Sequence, residues 1–403
     1  MIFVGIDWAE HHHDVCLLDA DGGELDHARI TDGAAGARRL HELIARHTDD
    51  PDQVVVGIET DHGLLVTALL ATGYRMHAIN PMAAARYRER YATSRAKSDR
   101  ADARVLADVV RLDRHRHRPI ATDSDHAEAI KALARAHQQL IWARQRQVNV
   151  LRSHLREFYP AALQAFDDLT ARDALAVLAK APTPQAGRAL TRAQTTAALR
   201  RGGRQRYLPT RVERIQTALR SEHLEAAPML TTAFGHAVQA LVGVIAELTA
   251  RIDALEEQVN RLLDAHPDAQ VVRSLPGLGG VVAARLLGEF GDAPGRFTDA
   301  KARKAYAGTA PVTRASGTRQ VVLARVARNR RLFDACYQWA FAAIRCSPGA
   351  RALYDRRRAA GAGHHEALRV LANRLVGIYH GCLRHHTRYD EQRAWGVRIR
   401  AAA

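Results

Sequence analysis

The chain has 403 residues, enough for two or three domains that each bury a core. Its 47% hydrophobic and 25% charged residues are those of a soluble globular protein, no apolar run approaches a membrane span, and the start, Met1 to Asp7, has no basic leader, so a cytoplasmic protein is expected. The four cysteines stand apart with no C-x-x-C pair, which argues against a disulfide framework and a zinc ribbon, while a formal net charge of +16 attracts polyanions, nucleic acid first.

Residues 1 to about 120 alternate strand and helix signals. Apolar runs at 2–7, 13–18 and 24–30 predict three strands, with a turn at Asp19-Ala20-Asp21-Gly22-Gly23 between the second and third. A helix is expected over 34–47. The β-branched run 54–58 suits a strand buried on both faces. Helix 64–71, strand 75–79 and helix 81–91 follow, and together these make a mixed α/β sheet. A long helix spans about 126–157. Residues 160–225 are helical pieces broken by Pro182-Thr183-Pro184 and by the basic loop Arg200-Arg201-Gly202-Gly203-Arg204, which suits either phosphate contact or plain solvation. In 238–265, Ile245, Ile252 and Val259 take heptad a positions and Leu241, Leu248, Leu255 and Leu262 the d positions. That pattern favours a two-stranded parallel coiled coil, hence a homodimer, with an antiparallel pairing onto the 126–157 helix as the alternative.

The last third opens on Leu275-Pro276-Gly277-Leu278-Gly279-Gly280 before a helix at 281–290. Two short helices around such a turn, with Gly277 and Gly279 leaving backbone N–H groups open to phosphate, make a helix-hairpin-helix-like segment. Val282 stands where a dinucleotide fingerprint needs its third glycine. Residues 308–320 predict a loop or hairpin turning at Ser316-Gly317, and basic helices fill the remainder to Tyr389. The clustered histidines, His11-His12-His13, His364-His365 and His385-His386, lack ligand spacing and suit solvated surface.

Two constellations carry chemistry. Asp7 ends one central strand and Glu59 ends another, so both acids can converge at the sheet rim. Asp99 and Asp102, three apart at the start of a helix, share a face; capping and the helix dipole alone would also favour them there. Together the four oxygen donors suit two Mg²⁺ (or Mn²⁺) ions serving phosphoryl transfer. The second constellation is Ser316 between Arg314 and Arg319, with Arg325, Arg328, Arg330 and Arg331 behind. A serine can attack phosphorus if its proton is removed, and arginines can clamp the phosphate.

The Asp7, Glu59, Asp99-x-x-Asp102 quartet resembles the DEDD site of RuvC-like, RNase H-fold domains. Leu275-Pro276-Gly277-Leu278-Gly279, Phe297, Ala305-Tyr306-Ala307-Gly308 and Pro311 with Ser316-Gly317 resemble the C-terminal transposase domain of the IS110/IS1111 insertion-sequence family. The resemblance spans nearly the whole chain. It implies a RuvC-like domain over 1–125, a helical linker and coiled coil over 126–268, a transposase domain over 269–390 and a basic tail over 391–403. It also implies a recombinase acting on double-stranded DNA, with Ser316 as covalent nucleophile, a multimer up to a tetramer, and a structured guide RNA pairing with target and donor. Many relatives carry paired serines in this motif; Ala315 precedes Ser316 here. A hydrolytic RuvC-like nuclease or junction resolvase would use the same acids without Ser316. A sugar-kinase fold would need a phosphate loop where Trp8-Ala9-Glu10 stands, and a basic coiled-coil binder would need no metal.

Overall fold

Strand-forming residues of the first 122 positions assemble one mixed sheet, and the chain divides there into two units, 1–122 and 123–403. The computed structural model describes residues 1–90, 98–117, 119–326 and 328–396. Tyr91 of the expected 81–91 helix, Lys97, and most of the 391–403 tail lie outside the described residues.

In the first unit β1 (Ile2–Trp8), β2 (His12–Leu18) and β3 (Glu24–Thr31) form a meander, followed by α1 (Ala34–Ala45), β4 (Val54–Ile58), α2 (Leu64–Ala71), β5 (Arg75–Ala78), α3 (Pro81–Arg88) and α4 (Asp99–Asp113). The strand order is β3-β2-β1-β4-β5, with β2 antiparallel to its neighbours and β1, β4 and β5 parallel. This arrangement fits the α/β RuvC-like domain. In the first turn the Asp19 carboxylate accepts the backbone N–H groups of Asp21 and Gly23 at 2.9 and 2.8 Å.

Period-two alternation sorts the strands onto two faces. Val4, Ile6, Val15, Leu17, Val54, Val56 and Ile58 bury against Leu40, Leu43, Leu65 and Leu69 of α1 and α2. Phe3, Cys16, Leu18 and Val55 bury against Leu106, Val109 and Val110 of α4. Burial on both faces, at about 1.5–3 kcal/mol per Val or Ile side chain, accounts for the unbroken apolar run of β4. The α4 backbone lies directly on the sheet. A Cβ at Gly5 would stand 1.9 Å from the Ala103 carbonyl, and one at Gly57 2.6 Å from that of Leu106. These glycines admit the helix, and its course sets the site. Its first turn meets Arg29 of β3, and its last turn reaches the β2–β3 turn, where Arg111 donates to the Ala20 carbonyl. The helix therefore runs antiparallel to β1 and starts at the rim where β1 and β4 end.

The second unit contains α5 (Asp125–Phe158), five short helices α6 (Pro160–Ala165), α7 (Arg172–Lys180), α8 (Pro184–Ala189), α9 (Arg192–Arg201) and α10 (Leu208–Arg220), and the long α11 (Pro228–Ala265). Then come α12 (Ala269–Arg273), α13 (Gly280–Phe290), α14 (Ala300–Tyr306), the hairpin β6 (Val312–Ser316) and β7 (Arg319–Leu323), α15 (Arg330–Cys346), α16 (Pro348–Ala359), α17 (His364–Arg384) and α18 (Glu391–Trp395). Helices α5 and α11 pack antiparallel. His126 bonds the Leu262 carbonyl at 2.7 Å, Arg144 donates to Thr249 at 3.3 Å, and Phe158 stacks on Phe234 at 5.1 Å. The heptad a residues Ile245, Ile252 and Val259 are buried in the chain, so the seam read as a parallel dimer contact is occupied by α5. A partner on the same chain has the advantage of effective concentration. The d leucines remain partly exposed. By length and composition α11 also passes for a membrane span, with an 18-residue window of mean hydropathy 1.5, which corrects the expectation that no run does. Its buried residues pack on protein.

Glu289 of α13 is a buried charge in this unit. It accepts two bonds from Arg135 at 2.7 and 2.9 Å and one from Asn329 at 2.7 Å. Burial alone would raise its pKa; the Arg135 bonds and charge, with Asn329, outweigh burial and hold it below the ordinary glutamate range. A depressed acid stabilises the fold above its unfolded pKa, and that contribution is lost as pH falls through the folded value. Glu289→Gln is therefore expected to lower unfolding free energy by about 3 kcal/mol at pH 7, toward the lower end for a broken buried pair because Arg135 is partly exposed. Urea melts should show the difference shrinking below about pH 4.

Candidate metal centre and nucleic-acid interface

Ile6 and Ile58 are the last register partners of parallel β1 and β4, so Asp7 and Glu59 follow as neighbours at the carboxyl rim of adjacent strands, about 4.8 Å apart in the backbone. By alternation both belong to the face that carries α4, with Phe3 and Gly5 on one strand and Val55 and Gly57 on the other. The N-cap Ser98 accepts the Ala101 N–H, which starts α4 so that Asp99 and Asp102 fall in its first turn. Asp102 is buried and pairs with Arg88 of α3 at 2.5 Å. Asp99 is exposed and pairs with Arg29 at 3.3 Å. All four acids thus sit at one rim.

A fifth carboxylate joins them. Asp14 of β2 is the register partner of Asp7, lies on the same face as Cys16 and Leu18, and is buried. Arg29 bridges Asp14 and Asp99, at 2.9 and 3.3 Å, and these bonds and charges hold its guanidinium in the charged form more firmly than usual. Among the described residues, the closest set of metal-type donors is His12, Asp14 and Asp99, with ligand atoms all within 4.8 Å of one another. The structure therefore gathers Asp99 with His12 and Asp14, and sets Asp102 against Arg88. Sequence reading missed Asp14 and assigned His11-His12-His13 to solvent, yet His13 is 1% exposed and bonded to Asp32. The available signal was parity: an acid at the position of β2 that shares a face with buried Cys16 and Leu18.

In the second unit, Ser316 ends β6 opposite Arg319 of β7 across a two-residue turn whose Gly317 has φ 55°, and the ribbon is exposed from Thr313 on. Cross-strand partners and i, i+2 residues share a face, so Arg314, Ser316 and Arg319 line one side of the ribbon. Arg325 and Arg328 differ from that pair. Arg325 donates to the Ala310 carbonyl, while Arg328 bonds the Arg325 carbonyl and lies 3.7 Å over the Phe333 ring. Both are spent at least partly on holding the segment. Gly277 has φ 71°, and a Cβ there would meet the α15 backbone at 2.6 Å, so close packing already demands it. Gly279 is open and caps α13. A groove of about 500 Å³ runs past this turn between Arg273 and Arg345. Arg200 and Arg201, read as part of a loop, form the last turn of α9, and Arg204 beyond it pairs with buried Asp173 at 2.5 Å.

Residues 4–160 match the IS110 DEDD transposase model, and residues 269–355 match the model described as the transposase IS116/IS110/IS902 family. Over its full length the chain is 48% identical to the IS117 mini-circle protein of Streptomyces coelicolor, covering 98% of it. The chain belongs to the IS110 family of transposases. It is also 29% identical to the 42 kDa protein of insertion element IS900 from Mycobacterium paratuberculosis, over 96% of this chain and 97% of that protein. With the 43.6 kDa protein of IS110 itself, from Streptomyces coelicolor, the identity is 28% over 99% and 98%. As an IS110-family transposase the chain is an insertion-sequence enzyme that binds and cuts DNA. The DEDD model extends past the sheet unit into α5, and its four-acid designation suits a divalent metal.

Proposed function

We propose that this transposase breaks and rejoins DNA strands by metal-assisted attack of Ser316 on a phosphodiester. Asp7, Glu59, Asp99 and Asp102 are its acidic set, with Asp14 and His12 as further donors beside Asp99. The observation that supports the reading is the strand register that puts Asp7 and Glu59 at the ends of β1 and β4, with His12, Asp14 and Asp99 close enough together at that end of the sheet to share an ion. The donor set fits a hard divalent ion, Mg²⁺ or Mn²⁺, since it is almost wholly carboxylate oxygen. Arg29 and Arg88 balance charge there now, and Arg29, 56% exposed, has room to turn away for an ion. A bound ion would polarise the phosphate and stabilise charge on the departing oxygen.

Ser316 forms one Oγ–P bond as one P–O bond to the nucleoside breaks, its proton passing to a base and the leaving oxygen gaining one. Attack by the hydroxyl of another strand reverses the exchange, releases the serine and joins the strands. One bond forms for each broken, so no external energy source is needed. Arg314 and Arg319 clamp the phosphate on the ribbon face. The Gly277–Gly279 turn, with Arg273 and Arg345, takes a backbone phosphate farther along the duplex. Arg325 and Arg328 add positive field beneath the ribbon. We divide the chain into a RuvC-like domain, a helical middle and a transposase domain; the match over 269–355 supports the last of these, while the match over 4–160 runs on into α5. A structured guide RNA and a homo-oligomer complete the machine; the partly exposed d leucines of α11 are the surface we assign to a second copy.

The test is excision from a plasmid carrying the element with its flanking non-coding DNA. Chelation with EDTA is expected to abolish joined-end circles, with Mg²⁺ or Mn²⁺ restoring them. Equal yield in chelator removes the metal.

A further inference from the structure

We propose that Trp8 is a stacking platform for an unpaired nucleobase flanking the scissile phosphate, an inference that rests on a DNA strand lying over the carboxylate rim. Trp8 is the last residue of β1, next to Asp7, and 52% of it is exposed. Among the described residues few large aromatics are exposed, and this one is rigidly backed. Its indole stacks on His13 at 6.3 Å with an 18° interplanar angle. His13 is 1% exposed and held at both ring nitrogens: Nδ1 accepts the Ala9 N–H at 3.4 Å, so Nε2 carries the proton and donates it to Asp32 at 3.1 Å. The imidazole is thereby fixed in tautomer and plane, and it supports one face of the indole.

Consecutive strand residues point to opposite faces, so the Asp7 carboxylate and the Trp8 indole straddle the rim. A strand with one phosphate at Asp7 that passes over the rim carries a neighbouring base to Trp8. Leu64, 91% exposed, opens α2 on the face to which Trp8 belongs and offers apolar surface along that path. The occupant is a nucleobase, because the polyanion attracted by a +16 chain brings its phosphates to the acids and has bases as its only flat apolar parts. To reach Trp8 a base must leave the duplex. Trp8 therefore acts as a positioning residue that favours local unpairing beside the cut.

The experiment compares wild type with Trp8→Ala, Trp8→Phe and Trp8→Leu on the joined-end junction of the element, fully paired or mismatched beside the cut site. Trp8→Ala is expected to slow cutting of the paired junction by about tenfold or more, the loss typical of one base–aromatic stack, with Trp8→Leu equally slow and Trp8→Phe close to wild type. Mismatches should restore Trp8→Ala, because the unpairing step is then already made. Quenching of tryptophan emission by the mismatched junction should fall in Trp8→Phe relative to wild type. The proposal is overturned if leucine replaces tryptophan without loss, if mismatches leave Trp8→Ala slow, or if Trp8→Phe quenches as wild type does. Cutting by Asp7→Ala at the wild-type rate would instead sink the metal reading, and the quenching comparison would still decide the stack.

Discussion

Asp7→Ala is expected to slow strand cleavage by about a thousandfold or more, the several kcal/mol that metal-ion stabilisation of a phosphoryl-transfer transition state supplies. The fold should survive. Asp7 is half-buried in the next-to-last position of β1, between the buried Ile6 and the exposed Trp8, and the backbone pairing of β1 with β2 and β4 does not depend on its side chain. Removing it takes away the carboxylate that stands between Asp14, its cross-strand partner, and Glu59 on the neighbouring strand. Asp7→Asn keeps the shape and removes the charge, so it should lose nearly as much. Asp102→Ala should behave differently: it leaves Arg88 without its buried partner and is expected to lower stability together with activity. Cleavage rates read beside thermal melts separate the two cases. Full activity in Asp7→Asn would mean that Asp7 holds no catalytic ion.

Ser316→Ala is expected to end strand exchange, a loss of four or more powers of ten typical of removing a nucleophile for which nothing else on the enzyme substitutes. Stability should change by less than about 0.5 kcal/mol, since the residue lies on an exposed ribbon. Ala315 beside it offers no second hydroxyl. If nicking persists at the wild-type rate in Ser316→Ala while joining is lost, water is the nucleophile and the chain works as a hydrolytic RuvC-like nuclease.

Much of this geometry can be read from the residues, and the reasons it stops are physical. The mixed sheet is readable because β-branched runs and Gly-Asp turns are local signals. The strand-end positions of Asp7 and Glu59 follow from the same runs. Asp14 was not readable, because its place beside Asp7 depends on the register of the β1–β2 hairpin, and a one-residue slip would turn it to the other face. Likewise the heptads of α11 announce an apolar seam without naming the helix that fills it; Ile245, Ile252 and Val259 fit α5 as well as a second copy. Gly277 looked like a phosphate contact, yet the approach of the α15 backbone, invisible in sequence, already requires it. Arg325 and Arg328 read as open charge because the Ala310 carbonyl and the Phe333 ring that engage them lie off the motif.

The most direct measurement is to trap the reaction on labelled joined-end DNA, denature it, and digest any DNA-linked protein for mass spectrometry. The account predicts a phosphodiester adduct on Ser316, formed with Mg²⁺ or Mn²⁺ and absent in EDTA or in Asp7→Ala. Cleaved strands with free ends and no linked peptide, or an adduct that forms equally well in EDTA, would contradict it.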